Sequence, residues 1–474
     1  MKILIGQSYF RVLDEKEYNR HMPYTPLGPL YAAAILKEMG HEVVFYDAML
    51  SPGVKNFISK ISYEQPDLLV IYDDEFNYLT KMCLSKMRDS AVISIKWAKS
   101  LSIPVIVYNS DAADFPVEYI KAGCDVIIYG EGEETLKEVV NAIGNNSFNI
   151  LKEKITGIKY LKEGSIHTNA NRKLIENLDL LPEPDYSLVD LEAYRGIWMN
   201  HHGYFSMNIS TTRGCPYSCN WCAKPLYGRS YSLRTPQNVA YQVKLMKEKY
   251  SIDHLWITDD IFGLKTNWVK DFANELKKIK TIVPYKCLAR PDLLLRGNTL
   301  NDLKESGCKT IWIGAESGSQ KILDAMDKGT TVEQIYKASQ RAKELGIEIA
   351  YFIQFGYLNE GWPDIKLTRR MILDNLPDDI GISVSYPLPG TKFHQTVRQL
   401  INEKTNWIDS DDLDMIFTGT FGRKFYRLLH RFVHYEYRIK KILQKKIWKD
   451  IPHLMIYSLK FIILQIRLYP YINS

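Results

Sequence analysis

The sequence lacks the features that would place the protein outside the cell or inside a membrane. It has no secretory signal, because the N-terminal MKILIGQSYF soon gives way to polar residues. Its last apolar segment, HLMIYSLKFIILQIRLYPYI, is interrupted by Lys460 and Arg467, so its uncharged runs fall short of the roughly 20 residues of a membrane span. Repeats of short period and low-complexity tracts are also absent. Seven cysteines, an odd number, fit a reducing compartment, and we expect a cytoplasmic protein.

What the sequence contains is the composition of an ordinary globular protein. Its 474 residues suggest two or three domains, and 46% hydrophobic with 24% charged residues can bury sizeable cores. The formal charge of +6 is unevenly spread along the chain. Residues 421–474 hold twelve Lys or Arg against Glu436 and Asp450, which leaves the rest of the chain at about −4. The basic character therefore belongs to the tail.

Short apolar strands alternate with helical segments over residues 1–150. The strands read KILIG, HEVVFYD, DLLVIYD, IPVIVYN and DVIIYG. Apolar runs of this length, joined by helices, predict an α/β domain with a doubly wound, Rossmann-like parallel sheet. Ligands of such sheets bind beyond the carboxyl ends of the strands, here near Asp47, Asp73, Asn109 and Gly130.

The rest of the chain divides into three further regions. Residues 151–195 read as a linker with a hairpin, TGIKYLKEGSIHTNA. Residues 196–400 hold about six strand–helix units, which predict a partial (β/α)6 barrel whose strand ends carry the chemistry. Residues 401–474 read as a helical, basic C-terminal region.

Three cysteines form the most specific motif of the sequence. The stretch TTRGCPYSCNWCAKP places Cys215, Cys219 and Cys222 in the spacing C-x3-C-x2-C directly after a strand. Thiolates suit iron–sulfur clusters, zinc or copper(I), but a structural zinc site needs four ligands, and Cys287 and Cys308 each stand alone. Three thiolates can hold three irons of a 4Fe–4S cluster and leave the fourth iron open. A zinc site completed by a distant residue, and buried unligated thiols, stay as alternatives.

This spacing, with Trp221 before the last cysteine, resembles the signature of the radical S-adenosylmethionine (SAM) superfamily. The resemblance implies that Cys215, Cys219 and Cys222 ligate a 4Fe–4S cluster whose open iron binds SAM. One electron, from a flavodoxin or ferredoxin, would then cleave the cofactor and release a 5′-deoxyadenosyl radical that abstracts a hydrogen atom from the substrate. The protein would supply orientation and exclusion of water.

Later segments are similar to the same family and imply further cofactor contacts. WITDDIF resembles a strand end at which Asp259 and Asp260 face the amino group of SAM, although paired acids after a strand are often helix caps. LARPDLL makes Arg290 a partner for the SAM carboxylate. In IWIGAESGSQ, Glu316 and Ser317 would reach the ribose hydroxyls.

The segment after the fifth barrel strand departs from the family pattern. Relatives commonly carry Pro-Gly-Glu there, whereas this chain reads FIQFGYLNEGWPD and keeps only Gly356 and Glu360 as candidates for that role. The segment YPLPGTKFH again resembles the family, so the resemblance covers about residues 1–400.

The first domain resembles the cobalamin-binding domain of one branch of the superfamily. PYTPLGPLYAAAILKEMG and AGCDVIIYGEGEETLKEVV carry the resemblance, and Gly130, Glu131 and Gly132 match it. Two departures count against cobalamin: no D-x-H-x-x-G motif supplies a histidine for cobalt, and Asn109, Ser110 and Asp111 stand where relatives have glycines. A domain that kept its fold and lost its ligand is the alternative.

These observations predict a radical SAM enzyme acting on an unactivated carbon of a small or lipid-like substrate. Methyl transfer through cobalamin is the favoured reaction, and a cobalamin-free or oxidative rearrangement such as ring formation is the second. We expect no auxiliary cluster, because the four remaining cysteines do not group in the sequence, and this also argues against methylthio transfer. A zinc-stabilised binding module without catalysis is the alternative of a different class.

The basic tail admits three interpretations. It can be a helical cap over the barrel with a solvated basic face, a peripheral contact to an anionic membrane, or a contact to nucleic acid. No nucleic-acid-binding module is recognisable, so we expect no nucleic-acid partner.

Overall fold

The structure, a computed structural model, describes residues 1–82, 84–222, 227–445 and 451–472. It consists of two compact units, which we describe separately. The first contains Met1–Pro216, Ala223–Asp260 and Asn406–Asp412, and the second contains Tyr217–Cys222, Ile261–Thr405 and Leu413–Ser474.

The first unit is built on a seven-stranded sheet in the order β2-β1-β3-β4-β5-β6-β7. The strands are β1 (Lys2–Gly6), β2 (Glu42–Tyr46), β3 (Leu68–Tyr72), β4 (Val105–Tyr108), β5 (Val126–Ile128), β6 (Ile158–Lys162) and β7 (Ser165–Thr168). The first five are parallel, with Ile3 beside Val43 on one side and Leu68 on the other. Strands β6 and β7 form the predicted hairpin and extend this sheet as antiparallel strands.

Helices cover both faces of this sheet, which explains its continuously apolar strands. Ile3 and Ile5 pack into one core, and Leu4, between them, packs into the other. The helices of this unit are α1 (Glu15–Asn19), α2 (Leu27–Glu38), α3 (Val54–Glu64), α4 (Tyr78–Lys81), α5 (Ser85–Ser100), α6 (Ser110–Asp114), α7 (Pro116–Ala122), α8 (Glu133–Gly144), α9 (Phe148–Leu151), α10 (Leu191–His202) and α11 (Pro236–Tyr250). The doubly wound domain is thus confirmed.

A second strand–helix series follows the first sheet, and its strands are divided between the two units. The first unit contributes β8 (Ser206–Ile209) and β11 (His254–Ile257), which pair in parallel, and a short antiparallel pair of β9 (Thr212–Arg213) and β10 (Ser232–Leu233). The second unit contributes β12 (Tyr285–Ala289), β13 (Cys308–Glu316), β14 (Glu348–Phe355) and β15 (Asp379–Val384), paired in parallel in that order. The predicted fold class, a doubly wound domain followed by a partial (β/α)6 barrel and a helical tail, is confirmed.

The helices of the second unit end in a long pair. They are α12 (Trp268–Lys278), α13 (Pro291–Leu294), α14 (Thr299–Glu305), α15 (Gln320–Ala325), α16 (Val332–Glu344), α17 (Trp362–Asn375), α18 (Lys392–Val397), α19 (Arg423–Lys445) and α20 (Ile451–Ile472). By length and composition α20 could cross a membrane, a test that core helices of soluble proteins also pass. Lys460 and Arg467 were predicted to exclude a membrane span. Length and composition alone do not exclude one.

Candidate functional site

The cysteine loop follows β9. Gly214 has a φ of +78°, and a Cβ at this position would overlap the carbonyl oxygen of Ser230, so only glycine fits the turn that precedes Cys215. Cys215 is buried, while Cys219 and Cys222 are partly exposed. Among the residues that the structure describes, no three Cys, His, Asp or Glu side chains are arranged to hold a metal ion. The three thiols have the donor chemistry of cluster ligands, and cationic side chains lie near them.

Arg290 lies beside the cysteine loop. Its Nη1 is 3.8 Å from Sγ of Cys219, and its guanidinium stacks 3.7 Å above the ring of Tyr217. Its Nε donates a 2.9 Å hydrogen bond to Asp292, and the side chain is buried. Arg290, predicted to bind the SAM carboxylate, therefore places a fixed positive charge beside the cysteine loop.

A buried ion pair between Lys328 and Glu316 lies near Trp221 of the cysteine loop. The Lys328 Nζ is 2.8 Å from Glu316 Oε1 and 5.7 Å from the centre of the Trp221 ring. Burial opposes the charge of Lys328, but the Glu316 carboxylate and Cys219 raise its pKa above the usual value. Trp221 Nε1 is buried and has no partner in the structure. Lys328 could not be predicted from the sequence, because a lysine twelve residues after a glutamate carries no motif of its own.

Glu316 is held in an uncommon backbone conformation. Its φ is +56°, and the pairing of β13 with β14 shifts register between Gly314 and Glu316. A non-glycine residue in this conformation costs of order 1–3 kcal/mol and persists where the surroundings fix it. The bulge therefore fixes where the Glu316 carboxylate lies at the end of β13.

We expect Lys328→Met to destabilise the protein by about 3–5 kcal/mol, because the Glu316 carboxylate would remain buried without its cation. The control is Lys321→Met: its pair with Asp364 involves a lysine side chain that is 61% exposed, so the loss should be about 1 kcal/mol or less. Urea unfolding of the reduced protein measures both. Equal losses in the two variants would contradict the assignment of a buried pair.

The two aspartates after β11 have protein partners in the first unit. Asp259 is buried and accepts hydrogen bonds from the backbone N–H groups of Thr211 at 2.7 Å and Thr212 at 3.0 Å. Burial raises its pKa to about 6, and these hydrogen bonds oppose the rise. Asp260 forms a 2.8 Å ion pair with Lys81. Asp259 thus holds the turn that leads into the cysteine loop, and contact of either residue with SAM stays a prediction.

Ser317 and Gly318 pack against α17. The hydroxyl of Ser317 lies 3.1 Å from that of Thr368, which also accepts the Gly318 N–H at 2.9 Å. A Cβ on Gly318 would overlap the backbone of Leu367. The glycine is therefore needed for helix packing, and the ribose contact of Ser317 stays a prediction.

The turn after β14 keeps its glutamate in a buried position. Glu360 accepts the N–H of Gly356 at 2.5 Å, and Gly356 has a φ of +79°. Burial raises the pKa of Glu360 to about 8, and its Oε1 has no partner in the structure. The two residues retained from the family pattern thus build one turn.

Polar side chains fill the carboxyl edge of the first sheet. Asn109 donates to Asp73 at 2.9 Å and accepts the N–H of Ala112 at 2.6 Å, which caps α6. Ser110 donates to Glu75 at 3.1 Å. The residues that replace glycines in this loop are therefore held by the neighbouring strand end.

Two side chains at this edge have buried polar atoms without partners. Both Oε1 and Nε2 of Gln7 are unpaired, and the residue is 1% exposed. Oε1 of Glu75 is also unpaired, and burial raises the pKa of this carboxyl to about 8. Buried polar atoms in native proteins are nearly always paired, so these atoms indicate a polar ligand or water at the edge.

The segment Gly130 to Gly132 has a structural role in the first unit. Glu131 forms a 2.5 Å ion pair with Arg213, and a Cβ on Gly132 would collide with the hydroxyl of Tyr72. Gly130 has a φ of +75°. Glu131 therefore anchors the strand that precedes Cys215, a contact that no local motif reveals.

Two of the remaining cysteines, which stand alone in the sequence, lie close together in the structure. Cys287 on β12 and Cys308 on β13 are both buried, and their sulfurs lie 3.9 Å apart. Adjacent parallel strands bring together residues that are 21 positions apart in sequence. Cys83 lies outside the described residues.

Residues 209–372 match the model of the Radical SAM superfamily. The chain is 27% identical over 378 residues to an uncharacterized methyltransferase of Pyrococcus horikoshii, with 77% of each chain covered. It is 24% identical over 395 residues to the anaerobic magnesium-protoporphyrin IX monomethyl ester cyclase of Rubrivivax gelatinosus, covering 81% of this chain and 69% of the cyclase.

Two solved structures have the same fold. The radical SAM methyltransferase TsrM from Kitasatospora setae, with cobalamin and a [4Fe-4S] cluster bound, is 16% identical with a TM-score of 0.69, covering 84% of this chain and 74% of TsrM. The cobalamin-dependent SAM radical enzyme OxsB, with aqua-cobalamin and SAM bound, is 19% identical with a TM-score of 0.72, covering 98% of this chain and 72% of OxsB. At these identities the likeness shows the fold.

Proposed function

Because the chain belongs to the radical SAM superfamily, we propose that it transfers a methyl group through cobalamin to an unactivated carbon of a small or lipid-like substrate. As a radical SAM enzyme it uses SAM and a 4Fe–4S cluster, and these supply one-electron chemistry when bound. The methyltransferase relative at 27% identity supports the reaction class.

In this proposal the cysteine loop and its cations hold the cluster and SAM. Cys215, Cys219 and Cys222 are the ligands, because no other three thiols lie in one short loop. Arg290 and Lys328 offset the negative charge that three thiolates concentrate in one place. Further SAM contacts are proposed for four residues near the barrel strand ends and one in the loop: Asp259, Asp260, Glu316, Ser317 and Trp221.

The carboxyl edge of the first sheet carries the cobalamin part of the proposal. Cobalamin has amide side chains around its corrin ring, and these can donate to and accept from the unpaired amide of Gln7 and the unpaired oxygen of Glu75. Asn109 and Ser110 border the same edge. Their side chains let the corrin ring approach the loop backbone less closely than glycines would. Gly130, Glu131 and Gly132 complete the proposed cobalamin-binding edge.

Oxidative ring formation without cobalamin is the second candidate. The cyclase relative, which matches 81% of this chain, favours it, and so do the hydrogen bonds that fill the Asn109–Ser110 loop. A noncatalytic zinc module would purify with stoichiometric zinc instead of iron. Anaerobic purification under cobalamin-replete conditions, followed by desalting, separates these cases: a retained corrin spectrum supports methyl transfer, and its absence with intact SAM cleavage supports cyclisation.

We expect Gln7→Leu to lower corrin retention at least several-fold and to leave the stability of the ligand-free protein unchanged or raised by about 1 kcal/mol. Removing a buried amide that has no partner costs the apoprotein nothing, whereas a bound ligand would lose its contact. The measurements are corrin absorbance after desalting and urea unfolding.

Gln242→Leu is the matched control for this variant. Gln242 is also a buried glutamine of the first unit, but its Nε2 donates to Glu183 at 2.6 Å. Its loss should destabilise by about 1–3 kcal/mol and leave corrin retention intact. Unchanged corrin retention in Gln7→Leu would remove this residue from the site.

The remaining partners in the proposal follow from the chemistry. The cluster needs one electron per turnover, so a flavodoxin or ferredoxin is the proposed donor. We place the enzyme in the cytoplasm, where thiols stay reduced, with a peripheral membrane contact through the basic tail.

A further inference from the structure

Helix α20 packs on α19 through one apolar stripe. The stripe consists of residues spaced three or four apart, which lie on one face of a helix: Tyr457, Phe461, Leu464, Leu468 and Tyr471. The Phe461 ring stacks on Phe432 of α19 at 4.5 Å, and Leu464 and Leu468 are buried. This stripe is the inner face of α20.

The pair is held to the rest of the second unit through α19. Arg369 of α17 donates two hydrogen bonds, of 2.8 and 2.6 Å, to Glu436. The hydroxyl of Tyr437 donates to the carbonyl oxygen of Pro377 at 2.7 Å. Helix α20 is therefore attached to the unit through α19.

The opposite face of α20 is apolar as well. At 100° per residue it presents a second stripe, the outer stripe, of Met455, Leu459, Ile462, Ile466 and Tyr469. Their exposed fractions are 69%, 61%, 52%, 67% and 67%. A surface helix of a soluble protein carries polar side chains on this face. A contiguous exposed apolar stripe marks an interaction surface.

Polar residues border the outer stripe on both flanks. On the same helical wheel Ile456 and Ile463, 48% and 41% exposed, widen the stripe on one flank, where Lys460 and Arg467 lie beyond them, and Ser458 and Gln465 lie on the other flank. Lys460 Nζ lies 5.6 Å from the ring of Tyr435 on α19, which places the cation at the seam of the two helices. An apolar stripe with cations at its border complements an anionic lipid surface.

From this arrangement we infer that α20 docks on an anionic membrane and lies in its interface. The outer stripe inserts among the acyl chains, and Lys460 and Arg467 contact the lipid phosphates. The twelve Lys or Arg of residues 421–474, against two acids, add the attraction to anionic headgroups. The inference deepens the membrane contact of the proposed function and stands independently of cobalamin.

The same contacts argue against a membrane span. Helix α19 lies against α20, and it carries exposed arginines at positions 427, 431 and 438. A span of α20 would carry these charges into the bilayer, at about 2.5–3.5 kcal/mol each at the centre.

A second copy of the chain is also a poorer occupant. A 22-residue helix is about 33 Å long, and a stripe about 10 Å wide offers roughly 330 Å², against about 800 Å² per partner in a specific interface. A lipid surface requires no such minimum area and attracts the two cations.

Flotation of the full chain with vesicles tests the inference. Wild-type protein should float with phosphatidylcholine vesicles that contain phosphatidylglycerol, and much less with phosphatidylcholine alone. The double variant Leu459→Glu/Ile466→Glu should lose at least ten-fold in binding. The double variant Lys460→Gln/Arg467→Gln should bind more weakly and with less salt dependence. Ile150→Glu, which alters an apolar residue 77% exposed in the first unit, is the matched control and should bind like wild type.

Several outcomes would overturn the inference. Equal flotation of the glutamate variant and wild type removes the outer stripe as the docking surface. A dimer seen by light scattering that the same variant abolishes assigns the stripe to a second copy. Resistance of the membrane-bound protein to alkaline carbonate indicates a span. Reductive SAM cleavage without lipid, measured in every variant, keeps these outcomes apart from a failure of the proposed catalytic function.

Discussion

Replacing Cys219 by alanine is expected to remove the iron–sulfur cluster and to abolish reductive SAM cleavage. The loop offers three thiolates for three irons, so two thiolates leave a second iron without a protein ligand. The Arg290 guanidinium, 3.8 Å from this sulfur, would then lose the sulfur that it faces. Anaerobically reconstituted wild type should contain about four irons per chain, and the variant well under half of that, with loss of the brown colour.

Cys124→Ser is the matched control for this variant. Cys124 is buried in the core of the first unit, and its Sγ lies 3.1 Å from the carbonyl oxygen of Val126, a contact that a serine hydroxyl can also make. Iron content and 5′-deoxyadenosine formation should stay at the wild-type level. Stoichiometric zinc without iron in the wild-type protein would refute the cluster and favour the zinc-module alternative.

The elements of the fold could be predicted because their signals are local. Five apolar strands joined by helices imply a parallel sheet, and the alternation of Ile3, Leu4 and Ile5 between two cores shows why no polar alternation was visible. The cysteine spacing is equally local. Both kinds of pattern lie within one element or one loop, so they can be read from the sequence.

The partners of charged residues could not be predicted, because they depend on which strand ends meet. Lys328 pairs with Glu316 across twelve residues, and Arg213 pairs with Glu131 across 82. Each of these side chains taken alone reads as a solvated charge. The same reason explains the missed approach of the two cysteines on β12 and β13.

Helix α20 shows the limit of composition as a guide. The sequence identifies an apolar segment with two interrupting charges. From the sequence, only the length of the uncharged runs distinguishes a membrane span from a surface helix. The packing on α19 divides the segment into an inner stripe and an outer stripe, with Lys460 and Arg467 between them. That division depends on the packing of α19 against α20, which cannot be read from the sequence of the segment alone.

The second large effect is expected at Arg213, two residues before Cys215. Its guanidinium is buried between Glu131 and Glu133, each at 2.5 Å. Burial opposes this charge, but the two carboxylates raise the pKa of Arg213 well above its usual value. Arg213→Met leaves both carboxylates buried without a cation, and we expect a loss of at least about 3–5 kcal/mol in the free energy of unfolding.

The pH dependence of this loss has a definite sign. Burial already raises the pKa of Glu131, and removal of the guanidinium raises it further. The folded variant then binds more protons than the unfolded chain, so its stability falls as pH rises, and the loss should be larger at pH 8 than at pH 5. Restoring neutrality in Arg213→Met/Glu131→Gln/Glu133→Gln should recover most of the loss. Arg20→Met, which removes an exposed pair with Glu17, should cost about 1 kcal/mol or less at either pH, and an equally small loss in Arg213→Met would refute the buried triad.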